Sequence, residues 1–244
     1  MTTTPVEASD NKPSAPAVPL SPTTGEPMTV IARRGRVGLW LIIVMSVSGT
    51  IALIISYSYL WSLNVNGGWA PPGAKLTANQ TNDTIGKVKG SFAPEWPFWA
   101  ILGMLILATV FMWWGYRSVK RGNQGALIAG STLALIMTLA TLVAQWIQVT
   151  NFPFGPANGA YASAVLLLCA SNIFNLLLLL FILTGIMNRA RKGLISRAVS
   201  YQAQAASYWM VWVVIAFLLG CLVTTFMVES PNVDPAIFGG FKEQ

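Results

Sequence analysis

The amino-acid sequence predicts an all-α integral membrane bundle of five transmembrane helices, with the N-terminus inside and the C-terminus outside. Three observations lead there. Apolar residues make up 54% of the 244-residue chain and charged residues only 9%, against roughly 25% charged in an ordinary soluble domain. Five runs are long enough to cross the hydrocarbon, which takes about 20 predominantly apolar residues, and none of them contains His, Asp, Glu, Lys or Arg. The runs are continuously apolar rather than alternating with period two, so they read as helices and not as barrel strands.

Residues 1–32 are expected to form a disordered cytoplasmic tail. Their Pro, Ser and Thr content leaves too little apolar area to offset the entropy of ordering. No apolar stretch there precedes a small-residue cleavage site, so no signal peptide is expected. Residues 33–230 form the membrane domain, with spans at 37–61, 97–116, 125–149, 161–187 and 208–228. The fourth is longer than the bilayer requires, which predicts tilt or an interfacial extension. The loop 62–95 is rich in Gly, Asn and Pro and faces outward; Asn79 and Asn82 each open an acceptor pattern for glycosylation, too short to carry weight. Residues 231–244 form an external C-terminal tail.

Basic residues set the orientation. Arg33, Arg34 and Arg36 precede the first span, Arg117, Lys120 and Arg121 follow the second, and Arg189, Arg191, Lys192 and Arg197 follow the fourth. The connection between the third and fourth spans has none. Lysine and arginine accumulate on the cytoplasmic side, and an odd number of spans agrees with ends on opposite sides. The net charge of +7 therefore reflects topology and attraction to anionic headgroups, with no separate domain to hold nucleic acid. Aromatic residues fall where interfaces belong. Trp61, Trp96, Trp99, Trp146 and Tyr161 mark outer ends, and Trp40, Trp113, Trp114, Tyr116 and Tyr208 mark inner ends.

The absence of ionisable groups bounds the chemistry. No acid occurs from Trp96 to Val228, and the chain has no histidine. Groups that relay protons or carry ions at membrane depth are ionisable and costly there, so a structural or accessory role is expected, with no catalytic, cofactor-binding or metal-binding residue. Cys169 and Cys221 lie inside spans at similar depth and read as small apolar fillers, without metal-ligand spacing. Asn172 and Asn175 share one face of the fourth span near its middle. An unpaired amide in hydrocarbon is unfavourable, so the pair predicts interhelical hydrogen bonds, with ligand contact as the alternative. Gln145 and Gln148 repeat the spacing near the outer end of the third span, where an interfacial role is expected. Gln202 and Gln204 sit where the fifth span begins. Ser46, Gly49, Thr50, Ala126 and Gly130 predict close helix packing. The basic inner turns predict a retained anionic phospholipid, contacted by Arg117, Arg121 and Arg189.

Read together, the spans resemble a known family. The first span ends Ser56-Tyr-Ser-Tyr-Leu-Trp61 and is followed by Trp69-Ala-Pro-Pro-Gly73. The fourth begins Tyr161-Ala-Ser163 and ends Arg189-Ala-Arg191-Lys-Gly193, and the fifth carries Tyr208-Trp209. In order and spacing these are similar to subunit III of the haem–copper respiratory oxidases (cytochrome c oxidase type), in a short five-helix form. The departures remove charge. Ser46 stands where the family has a glutamate, Asn172-Ile-Phe-Asn175 replaces its His-x-x-His, and Tyr208-Trp-Met-Val-Trp-Val213 replaces its Tyr-Trp-His-Phe-Val-Asp. The resemblance implies a non-catalytic subunit that packs against catalytic subunit I, with subunit II in the same complex. It also implies bound phospholipid and places haem and copper in the partners. A bacterial cytoplasmic membrane is the implied location. An accessory subunit of a nitric oxide reductase, a small transporter and an assembly factor are the alternatives. A transporter is disfavoured by the lack of intramembrane charge and of broken helices.

Overall fold

The computed structural model describes residues 25–64, 69, 92–197 and 199–228. The tail up to residue 24, Asn79, Asn82 and the stretch 231–244 lie outside the described residues. Within them the fold is all-helical: α1 (Met28–Leu63), α2 (Trp96–Lys120), α3 (Gln124–Thr150), α4 (Ala160–Arg191) and α5 (Tyr201–Phe226). All five are long and apolar enough to cross a membrane.

Local chemistry sets the helix ends. Pro27, with φ at −58°, precedes α1, and its carbonyl accepts from Val30 and Ile31. The expected boundary at 32/33 therefore falls inside a helix. No proline separates Met28 from the first span, and Gly35 is carried within the helix, so α1 runs back through the arginines to Pro27. Pro97 opens α2, where its missing N–H leaves no helix bond unmade. Arg121, Gly122 and Asn123 turn the chain from α2 to α3. Gly122 takes φ +91°, and the Asn123 side chain caps α3 by accepting from the Ala126 N–H at 3.1 Å. Gly193, at φ +70°, closes α4 as Leu194 N–H reaches back to the Arg189 carbonyl at 3.0 Å. Helix α5 starts at Tyr201, before the expected 208, which places Gln202 and Gln204 in its first turn.

Helices α2, α3, α4 and α5 close into a ring in which each packs on its sequence neighbour and α5 returns to α2, while α1 lies outside on α4 and α5. The ring interior holds Leu105, Met112, Leu127, Leu176, Leu179, Leu183, Met210 and Phe217. Only Ile43 and Tyr57 of α1 are buried. Close approach is greatest between α2 and α3, where a Cβ on Gly130 would sit 2.7 Å from the Phe111 carbonyl oxygen and 2.9 Å from Gly115 Cα. Glycine there is a packing requirement, as the small-residue pattern predicts. Gly49 behaves differently: a Cβ there would meet nothing within 4 Å. Ser46 accepts a 2.8 Å hydrogen bond from the Trp212 indole N–H of α5, tying α1 to the ring.

Candidate functional site

The bundle has two unlike ends. One carries the basic residues at the starts of α1 and α5 and the ends of α2 and α4. The other carries Trp69 and the residues leading into α2 and α4.

At the basic end, α1, α4 and α5 part to leave a groove with a cavity volume of about 870 Å³. Leu39 and Ile42 come from α1, Leu178 to Arg189 from α4, and Tyr201 to Trp209 from α5. Small residues open it. Gly35 lies against the Tyr201 ring, where a Cβ would come within 3.4 Å, and Gly185 faces open space. The lining is graded. Asn188, Arg189, Tyr201 and Gln202 surround the mouth, and Gln202 donates to the Tyr201 hydroxyl at 3.1 Å. Leu178, Phe181, Ile182, Leu39 and Ile42 make the deeper walls. Eleven helical steps from Leu178 to Arg189 span about 16 Å, close to half of the roughly 30 Å hydrocarbon thickness. The groove is therefore about as long as one leaflet is thick, with a guanidinium at its mouth.

Of the three arginines expected to share a lipid, only Arg189 lines this groove. Arg117 lies over the Trp113 ring, 5.6 Å from its centroid, and Lys120 lies over Tyr116 at 4.7 Å. Arg121 belongs to the exposed α2–α3 turn. The three do not converge, because α2 ends on the side of the ring away from the α1–α4–α5 junction. Arg34 pairs with Glu26 at 2.9 Å, in the open.

The opposite end is closed by aromatic rings. Tyr161 is wholly buried and stands edge-on to Trp69 (5.5 Å), Phe92 (4.9 Å) and Phe154 (5.6 Å). Trp69 in turn meets Tyr57 at 5.0 Å. Their polar tips fasten backbone. Tyr57 donates to the Met227 carbonyl (3.1 Å), the Trp69 indole donates to the Val228 carbonyl (2.8 Å), and the Tyr161 hydroxyl accepts from the Ala93 N–H (3.1 Å). Ser163 donates to the Pro156 carbonyl at 2.6 Å. Tyr161, and Tyr116 at the basic end, are thus interior residues and not the interfacial anchors expected of them. Trp40, Trp96, Trp114 and Trp146 are exposed, as belt residues should be.

Inside the ring the polar residues are amides, hydroxyls and thiols. Asn175 is buried and Asn172 half-buried, its amide nitrogen 4.0 Å from where a Cβ of Gly220 on α5 would stand. Among the described residues neither asparagine side chain hydrogen-bonds another residue. Asn172 stands against the small Gly220, and the expected interhelical bonds are absent among the described residues. Gln145 and Gln148 are buried, not interfacial, and bond each other, Nε2 of Gln145 donating to Oε1 of Gln148 at 2.9 Å. They continue a stripe of buried polar residues on α3, with Ser131, Thr138 and Thr141, whose 3- and 4-residue spacing was the signal available in the sequence. The groove had a weaker signal, small residues near the basic ends of three separate spans. Cys169 and Cys221 are free and buried. Cys221 Sγ donates to the Phe98 carbonyl at 3.6 Å, and the Cys169 thiol lies against Gln145. Among the described residues no group of three or more His, Cys, Asp or Glu is placed to hold a metal ion. In comparison with known proteins, no family model matches the chain and no curated protein matches it.

Proposed function

We propose that this chain is a non-catalytic accessory subunit, similar to subunit III, of a haem–copper terminal oxidase in a bacterial cytoplasmic membrane. In this reading its basic end faces the cytoplasm and a phospholipid of the inner leaflet fills the groove beside Arg189. Partner subunits I and II carry the haem and copper. The carrying observation is the combination of an interior built from amides, hydroxyls and thiols with a one-leaflet groove whose mouth holds a cation. A bundle without acid, histidine or basic residue in its spans lacks the groups that ordinarily relay a proton at membrane depth. Five unbroken helices also lack the discontinuous segments that transporters use at their binding sites. The ordered resemblance from Tyr57 to Trp209 supplies the complex.

The groove fits a lipid for a physical reason. Its apolar depth matches acyl chain, and Arg189 at the mouth attracts an anionic headgroup, an effect of about 1 kcal/mol per basic residue at that surface. Extraction in mild detergent tests the complex: haem and copper should co-purify with the tagged chain, and a particle without either sinks the oxidase reading. The lipid is tested separately. Native mass spectrometry of Arg189→Gln combined with Gly185→Leu should show loss of a phospholipid that the parent chain keeps, while equal retention in both removes the groove from the account. A reporter after Gln244 should be external; finding it on the cytoplasmic side reverses the orientation.

A further inference from the structure

The paired amides of Gln145 and Gln148 are half satisfied. Their mutual 2.9 Å hydrogen bond uses one donor and one acceptor. The Gln145 Oε1 and Gln148 Nε2 atoms left over are buried and meet no hydrogen-bond partner among the described residues. Exchanging oxygen and nitrogen in both amides leaves the same balance, one acceptor and one donor, so amide orientation does not affect it. The rest of the stripe differs. Thr138 donates to the Ala134 carbonyl at 2.8 Å and Thr141 to the Met137 carbonyl at 2.7 Å, each within its own helix. Of this stripe, the glutamines alone leave a buried side-chain atom without any partner among the described residues.

We propose that Gln145 and Gln148 form an internal hydration site, in which water donates to Gln145 Oε1 and accepts from Gln148 Nε2. The chemistry of the leftover atoms is that of a bridging water. Buried waters characteristically join otherwise unsatisfied polar groups and need two to four such partners. A group from another subunit cannot reach these atoms, because α2 and α4 flank α3 and Gln145 is wholly covered. Supply is short-range: Gln148 lies two residues before the end of α3 at Thr150, about 3 Å along the axis. This inference does not depend on which complex the chain serves.

Water-edited solid-state NMR of the full chain in phospholipid bilayers tests it, with nitrogen-15 in the glutamine side chains and in the backbone amides. The Gln145 and Gln148 amides, identified by Gln145→Met and Gln148→Met, should receive water magnetisation several-fold faster than the mid-span backbone amides of Leu176 and Leu179. Transfer as slow as to those two residues overturns the site, and so do contacts to protons other than water. In Gln148→Met, transfer to Gln145 should fall several-fold; an unchanged rate means that water does not bridge the pair. The measurement on the unmodified chain stands even where a variant fails to fold.

Discussion

The two ends of the bundle use aromatic residues in opposite ways. At the end away from the basic turns, rings face inward. Tyr57, Trp69 and Tyr161 are buried, and their polar tips fix the carbonyls of Met227 and Val228 and the N–H of Ala93. At the basic end, Trp40, Tyr208 and Trp113 form a chain of rings that remains partly exposed, with Arg117 lying over Trp113. The first arrangement closes the bundle. The second leaves α1, α4 and α5 apart, with a groove between them. The difference teaches that an aromatic residue near a span end is not automatically an anchor. For Tyr57, Trp69 and Tyr161, backbone polar groups lie within reach of the hydroxyl or indole N–H, and such groups must be paired away from water.

Six variants break or sharpen this contrast. The largest effect is expected for Tyr161→Ala, which removes a fully buried ring and opens a cavity at a cost of about 3–5 kcal/mol. Tyr208→Ala, at the other end, should cost about 1 kcal/mol, the value of its ring contacts. Thermal unfolding of the purified protein compares the two, and equal losses would erase the distinction between the ends. Next is Gly130→Leu, where α2 and α3 are in backbone contact: overpacking should cost about 1–3 kcal/mol or more. Gly185→Leu, facing the open groove, should stay within about 0.5 kcal/mol. If both glycines respond alike, the groove is not open. A smaller loss of about 0.5–1.5 kcal/mol is expected for Trp69→Phe, which keeps a ring but deletes the hydrogen bond to the Val228 carbonyl. Smallest is Asn172→Leu with Asn175→Leu, which should change stability by less than about 0.5 kcal/mol because neither side chain makes a hydrogen bond among the described residues. A loss above about 2 kcal/mol in that double variant would mean that the amides are paired after all.

The five spans were legible because the bilayer imposes a rule that acts locally. A stretch of about 20 apolar residues must satisfy its own backbone, and only a helix does so. Gly130 was legible for a similar reason, as small residues between helices are required wherever backbones approach. Boundaries were less legible. Helix α1 passes through Arg33, Arg34 and Arg36 to Pro27 because helical hydrogen bonding continues beyond the hydrocarbon.

What the sequence by itself determined is the composition of each span: no charge in the interior, basic turns at one end, and helices throughout. The tertiary structure alone decided which polar and aromatic groups meet. Asn172 and Asn175 share a face with Gly220 opposite Asn172, whereas Gln145 finds Gln148 and Cys169. Tyr161 became the centre of a cage, and Arg189 parted from Arg117 and Arg121. The physical reason is that hydrophobicity is summed along a single segment, whereas pairing depends on which face of each helix turns toward which neighbour. In an apolar solvent that rotation is set by side-chain fit and hydrogen bonds between helices, not by the apolar run itself.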